Sequence, residues 1–116
     1  MPAAANATLI VINQDGMGNA EPELRHKLIT TYLTLLNDNN MLPGAICFYT
    51  DGVRLACDGS PILEALEALE EKGVHLILCQ TCLDYFGLAE QVRVGIVGGM
   101  GDIITAMWQA DTVISL

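Results

Sequence analysis

The sequence predicts an α/β protein, a three-layer α/β/α sandwich around a mainly parallel five-stranded sheet, on three observations. Short runs rich in aliphatic and β-branched residues recur at 8–13, 45–49, 74–79, 92–97 and 112–116. They are continuously apolar rather than alternating, the mark of strands covered on both faces. Stretches with helical spacing separate them, and strands alternating with helices imply parallel βαβ crossovers. The composition suits a two-sided core, with 52% hydrophobic residues and 16% charged ones.

A length of 116 residues fits one domain, which at that size buries roughly two thirds of the surface its unfolded chain exposes. Residues 1–7 are Ala-rich and aperiodic, so they are expected to be a flexible end, with a single domain over 8–116. The first strand runs into Asn13-Gln14-Asp15-Gly16-Met17-Gly18-Asn19, a glycine-containing loop. A first helix is expected from about Glu21-Pro22, since proline suits the first turn. Its apolar stripe is Leu24, Leu28, Tyr32, Leu35 and Leu36, widened by Ile29 and Leu33, and residues 37–40 end it. The strand at 45–49 gives way to a Thr50-Asp51-Gly52 turn and a short helical turn over 53–57. Ser60 and Pro61 read as N-cap and first residue of the next helix. Ile62, Leu63, Leu66 and Leu69 form its apolar face, and Lys72-Gly73 closes it. The strand at 74–79 should then meet a short turn and a short helix through Phe86. A fourth strand is expected over 92–97, followed by a Gly98-Gly99-Met100-Gly101 turn, a helix capped by Asp102 and running to about Ala110, and a last strand at 112–116.

The formal net charge of -9, with five Lys and Arg in all, argues against nucleic acid as a partner, because that contact depends on basic side chains neutralising phosphates. No apolar run approaches the ~20 residues of a spanning helix, so no membrane role is predicted. Residues 1–7 lack the charged start of a signal peptide. A cytoplasmic location is therefore expected, with the four cysteines reduced. Low charge combined with high aliphatic content suggests apolar surface shared with another subunit; a thin polar shell over a small core is the alternative.

The chemistry-bearing stretch is Cys79-Gln80-Thr81-Cys82, where a buried strand meets a helix start. Open α/β sheets bind ligands at the carboxyl ends of their strands. A thiol at a helix N-terminus gains thiolate character, and the thiolate is the nucleophile. Against that stand the nearby Asp84 and the acidic net charge. The plain alternative is two buried cysteines serving as small apolar side chains. A thioredoxin-type motif fits poorly, since all four prolines precede the pair and none stands before the fourth strand. A structural zinc site needs a second ligand pair, and Cys47 and Cys57 are not spaced as one. Cys47 reads as core, and Cys57 as a residue able to approach from the second loop. No cofactor or metal is predicted.

Around the thiols, the loops Asp15-Gly16-Met17-Gly18, Asp51-Gly52, Gln80-Thr81 and Gly98-Gly99-Met100 should rim one sheet edge. Backbone amides in the glycine loops have the capacity to hold an anion, although neither loop matches a nucleotide fingerprint, and glycine also serves simply for tight turns. Asp15 and Asp51 end the first two strands; paired carboxylates there have the capacity to act as acid and base, but capping turns is the favoured reading. His26 and His75 have no partner nearby in sequence. Met17, Met100 and Met107 fill gaps or line a pocket, and Trp108 is a candidate subunit contact.

The run Cys79-Gln80-Thr81-Cys82-Leu83-Asp84-Tyr85-Phe86-Gly87-Leu88 resembles the Cys-Gly-Thr-Cys-Leu-Asp-Tyr-Tyr-Gly-Leu signature of the DsrE-like domain in YedF-type proteins, within the DsrE/DsrF-like family. Leu42-Pro43 leading to Phe48-Tyr49-Thr50-Asp51-Gly52-Val53-Arg54-Leu55-Ala56, then Gly59-Ser60 and Lys72-Gly73-Val74, agree in order, so the likeness covers roughly 8–116. Gln80 stands where the signature has Gly, and Val97-Gly98-Gly99-Met100 replaces a usual Asn-Met pair. The resemblance implies a sulfur-relay protein in which Cys79 takes the position of the family's acceptor cysteine; the pair Cys79 and Cys82 could also release the sulfur by closing a disulfide, and whether one or both act stays open. It also implies sulfur donor and acceptor proteins as partners, a small homo-oligomer with the cysteine loops near subunit boundaries, and a possible link to selenium metabolism. Two other readings remain: a non-catalytic interaction or regulatory module of the same fold, and a small-anion binder using the glycine loops.

Overall fold

A computed structural model describes residues 7–116. The elements run β1 (Thr8–Ile12), α1 (Pro22–Asp38), β2 (Ala45–Phe48), a 3₁₀ segment (Thr50–Ala56), α2 (Leu63–Glu71), β3 (His75–Cys79), α3 (Gln80–Phe86), a 3₁₀ turn (Ala89–Gln91), β4 (Ile96–Gly98), α4 (Met100–Gln109) and β5 (Thr112–Ser115). The five strands form one sheet in the order β4-β3-β2-β1-β5, with every pairing parallel. The three crossovers from β1 to β4 step one way across the sheet, and the β4-to-β5 crossover steps back past them. With right-handed crossovers, α1, α2 and α3 therefore lie on one face and α4 on the other, which is the three-layer α/β/α architecture.

Side chains alternate between faces along each strand. In register, Leu9, Ala45, His75 and Ile77 share one face, where they meet Thr105 and Ala106 of α4. Ile10, Ile12, Ile46, Phe48, Leu76 and Leu78 share the opposite face, and all six are buried together with Ile29 and Leu33 of α1 and Leu66 and Leu69 of α2. Three crossover helices close that face. One helix serves the other, so Met100, Ile104 and Trp108, one turn apart along α4, remain exposed, Trp108 at 86%.

Several local expectations shift. The buried stripe of α1 is Ile29 and Leu33, with Tyr32 and Leu36 packed beside them, whereas Leu24, Leu28 and Leu35 face out. α2 begins at Leu63 with Ile62 as its N-cap, because the Ser60 hydroxyl accepts the Ile62 N–H at 3.2 Å and holds Pro61 in a turn. The short helical turn expected over 53–57 is a longer 3₁₀ segment beginning at Thr50.

The fourth strand is the largest change. Val92 bridges Cys57 in antiparallel fashion and Arg93 donates its N–H to Ala56 O, so 92–94 pair with the segment after β2 rather than with β3. Gly95 then turns at φ +84, where a Cβ would stand 2.5 Å from Leu78 Cδ1, and β4 starts only at Ile96. Asp102 does serve α4, from its third position, by accepting the Gly99 N–H at 2.9 Å. The flexible end expected over 1–7 falls outside the described residues except at Ala7, whose carbonyl accepts from Asp111 and Thr112.

β3 feeds a helix on one face and β4 a helix on the other, so the sheet's topological switch point lies between them. There Cys79 stands in register with Gly98, and crevices at such points hold the ligands of open α/β sheets.

Candidate functional site

No turn separates β3 from α3. Cys79 is the last residue of the strand and the N-cap of the helix, and Gln80 is already helical. Leu83 anchors α3 in the core. At its other end Gly87 adopts φ 68 and the Leu88 N–H returns to Leu83 O at 2.8 Å, a glycine-terminated helix end that stops α3 after two turns. This abrupt junction gives the two thiols different surroundings. Cys79, held by the sheet, is 1% exposed; Cys82, in the first turn of α3, is half-buried. Gln80 and Thr81 are exposed.

The partner of Cys82 comes from the end of β2. The Thr50 N–H donates to Cys82 Sγ at 3.0 Å. Thr50 sits at φ 48, in the left-handed region that a β-branched residue occupies only under local constraint. The constraint is visible: the Thr50 hydroxyl lies 2.6 Å from Asn13 O and 2.7 Å from Tyr49 O, either of which accepts its hydrogen. Thr50 thus ties the ends of β1 and β2 together and turns its amide toward the thiol. Two residues on, Gly52 passes so close to β1 that a Cβ would stand 2.0 Å from Ile12 O; only glycine permits that approach.

Electrostatics do not make Cys82 a ready thiolate. Burial pushes its thiol up from the ordinary value of 9.0, the Thr50 hydrogen bond pulls it down, and the adjacent Cys79 thiol, which hydrogen-bonds to it, raises it again. Cys82 does lie in the first turn of α3, but α3 is only seven residues long, and burial is the largest influence on its thiol. Cys47 is fully buried in β2, and burial pushes its thiol up to about 11. Cys57 does not reach out from its loop. It is buried, donates to Val53 O at 3.3 Å, and is raised by burial and Asp58 against a lowering by Arg54. Among the described residues no group of three His, Cys, Asp or Glu side chains stands close enough to hold a metal ion, and no helix is long and apolar enough to cross a membrane.

The two aspartates come together, but as members of ion pairs. Asp15 Oδ1 lies 3.1 Å from His26 Nε2, and Asp51 Oδ1 lies 3.0 Å from Arg54 Nε. With Asn13, Gln14, Asn19 and Arg25 they line an open polar cleft of about 310 Å³. Arg54 also lies over the Phe86 ring, 4.2 Å from its centroid. Nothing in the spacing signals Thr50, whose partner Cys82 is 32 residues away; Arg25 and His26 reach back to the loop after β1, and Arg54 bonds Asp51 three positions before it.

Three amides of the glycine loops already have acceptors within the fold. Gly16 N–H donates to Gln14 O and Met17 N–H to Arg25 O, folding that loop onto α1, with Gly18 in a left-handed turn at its end. Gly99 N–H is taken by Asp102. Gly98 places this second loop beside Cys79, Met100 is exposed, and Met17 and Met107 pack on the core. His75 is exposed at the far end of β3.

Solved structures share this fold. The ychN protein from E. coli is 21% identical with a TM-score of 0.71, covering 96% of this chain and 99% of its own. MTH1491 of Methanobacterium thermoautotrophicum, a protein of unknown function, is 18% identical at TM-score 0.68, covering 94% and 97%. BT1422 of Bacteroides thetaiotaomicron, likewise of unknown function, is 16% identical at 0.63, covering 97% of each chain. No curated protein sequence matches. The DsrE/DsrF-like family matches over residues 7–116, a span that takes in the whole sheet and both thiols of the β3–α3 junction. The chain belongs to the DsrE/DsrF-like family, which is associated with sulfur relay.

Proposed function

We propose that the protein carries sulfane sulfur on Cys82, with Cys79 as the supporting thiol behind it. The observation that carries this reading is the pairing of a half-buried Cys82 with a strained Thr50 whose amide donates to its sulfur. An amide fixed on Sγ favours the anionic sulfur of a thiolate or persulfide over the neutral thiol. In the loading step Cys82 loses its proton to water, and its thiolate attacks the outer sulfur of a donor persulfide. A new S–S bond forms, the donor's S–S bond breaks, and the donor leaves as a thiolate. In the unloading step an acceptor thiolate attacks the outer sulfur on Cys82, which departs as its own thiolate. No net oxidation occurs in either step. Cys79 is the family's acceptor position, but at 1% exposure it is the thiol of the pair that a donor reaches with more difficulty.

The test is intact and peptide mass spectrometry after incubation with a persulfide donor. A gain of one sulfur at Cys82, lost in Cys82→Ser and shortened in lifetime in Cys79→Ser, is the expected result. Labelling confined to Cys57, or none, overturns the reading and leaves a non-catalytic module of the same fold.

The proposed partners are a sulfur donor protein, an acceptor protein and a second copy of this chain. The copy would cover Met100, Ile104 and Trp108. That stripe starts beside Gly98 and Cys79 at the thiol edge, and residues 94–110 include one charge, Asp102, in a chain of net charge -9, so two copies meet there with least repulsion. Light scattering should give an assembly larger than one chain, reduced to a folded single chain by Trp108→Glu; a single chain at all concentrations before the change contradicts it.

A further inference from the structure

The polar cleft beside Thr50 has no part in the sulfur steps above, yet it holds a guanidinium with free donors. We propose that Arg54 binds the anionic head of the compound that exchanges sulfur with Cys82, which makes the substrate class small sulfane-sulfur compounds bearing a sulfonate or carboxylate. The proposal rests on Cys82 being the reacting thiol.

Two contacts align the 3₁₀ segment with α3: Thr50 meets Cys82, and four residues on in each segment Arg54 meets Phe86. On α3 Cys82 and Phe86 are four apart and share a face with their Cβ atoms about 6 Å from each other, so Arg54, lying over the Phe86 ring, stands about one turn of α3 from the thiol. Its orientation is fixed from two sides. The Asp51 carboxylate takes Nε at 3.0 Å, and the guanidinium carbon lies over the Phe86 ring. Among the described residues Nη1 and Nη2 have no hydrogen-bond partner, and the side chain is 42% exposed. A planar fork held in this way suits an oxyanion, which it binds through paired N–H donors.

The charge distribution points the same way. Of five basic residues in a chain of net charge -9, two arginines line this cleft, together with the amides of Asn13, Gln14 and Asn19. Arg25 is committed to the Asp15 and Ala20 carbonyls, which leaves Arg54 as the cation able to turn to a ligand. The two carboxylates in the cleft each face a basic group, His26 for Asp15 and Arg54 for Asp51. With thiosulfate as the probe, the Cys82 thiolate attacks the outer sulfur, the S–S bond breaks, and sulfite departs with the electron pair. Three negative charges stand on each side of that step, and Arg54 receives the sulfite as it leaves. A persulfide that carries a carboxylate gives a thiolate as leaving group instead.

The experiment compares alkylation of Cys82 by anionic iodoacetate and neutral iodoacetamide, mapped by peptide mass spectrometry. Both react through the same thiolate, so the ratio of their rates cancels any change in thiolate population. Arg54→Gln keeps a group able to bond Asp51, and it should lower the iodoacetate-to-iodoacetamide ratio about tenfold, or about 1.4 kcal/mol; Arg54→Lys should recover part of it. Thiosulfate should slow iodoacetate labelling in the native chain and not in Arg54→Gln. An unchanged ratio in a folded Arg54→Gln protein overturns the proposal, as does a Cys82 that neither reagent modifies. A lowered ratio together with failure to load persulfide sustains the anion site and removes the relay, so the two readings fail separately.

Discussion

Cys47 and Cys57 are built into packing, whereas Cys79 and Cys82 straddle its edge, and the contrast shows what makes a thiol available in this fold. Cys47 lies mid-strand in β2, enclosed by β1 and β3 and by residues of both faces. Cys57 donates to Val53 O and is pinned by the bridge to Val92. The second pair belongs to a strand that becomes a helix without a turn, so Cys79 stays in the sheet while Cys82, three residues along, is rotated out toward the end of β2. All three thiols with a resolved shift are raised, by burial first. What separates Cys82 from the others is a fixed amide on its sulfur and an open side, not acidity.

The sharpest way to break that contrast is to measure access. In the native protein Cys82 should be alkylated on the order of a thousandfold or more faster than Cys47, whose exposure requires global opening with a cost of at least about 5 kcal/mol. Comparable rates, read site by site by mass spectrometry, would mean that β2 opens locally. Next in size is stability. Cys47→Ser puts a hydroxyl among apolar side chains and should cost about 1–3 kcal/mol, while Cys82→Ser should change urea unfolding by no more than about 0.5 kcal/mol. Equal shifts would place both sulfurs in equivalent packing.

The smallest effect is the pH response. The thiolate is the charged form that burial penalises, so a folded-state value above 9.0 means that the folded chain holds its proton more tightly than the unfolded one. Alkylation of Cys82 should therefore rise about tenfold per pH unit through neutrality without levelling off before pH 9. Stability should fall as the pH climbs from 9.0 toward about 11, the window set by Cys47. A plateau in the alkylation rate near pH 7 would show that the Thr50 amide outweighs desolvation at Cys82 after all.

Much of the fold was legible because strands and helices are written in local periodicity. The apolar runs at 8–13, 45–49, 74–79 and 112–116 became β1, β2, β3 and β5 within a residue or two. β4 begins later than its apolar run because Val92 and Val94, strand-like by composition, pair with residues 56 and 57, and that depends on where the preceding segment ends. At α1 Leu24, Leu28 and Leu35 matched the helical spacing, yet the side that packs is set by Ile29 and Leu33. The thiol pair was legible because strand, cysteine and helix are adjacent in sequence. Thr50 was not, since a β-branched residue is among the last expected at φ 48. Arg54 was not, since nothing local relates it to Phe86.

The sequence by itself determined the alternation of strands and helices and the junction of a strand with a helix at two cysteines, because each is encoded by neighbours along the chain. Tertiary structure alone decided which thiol is shielded, which amide reaches the other, and that Asp15, bonded to His26, shares one cleft with Asp51 and Arg54. The thiol contact and the cleft join residues that follow different strands, and these come together because a twisted parallel sheet gathers the carboxyl ends of its strands along one edge.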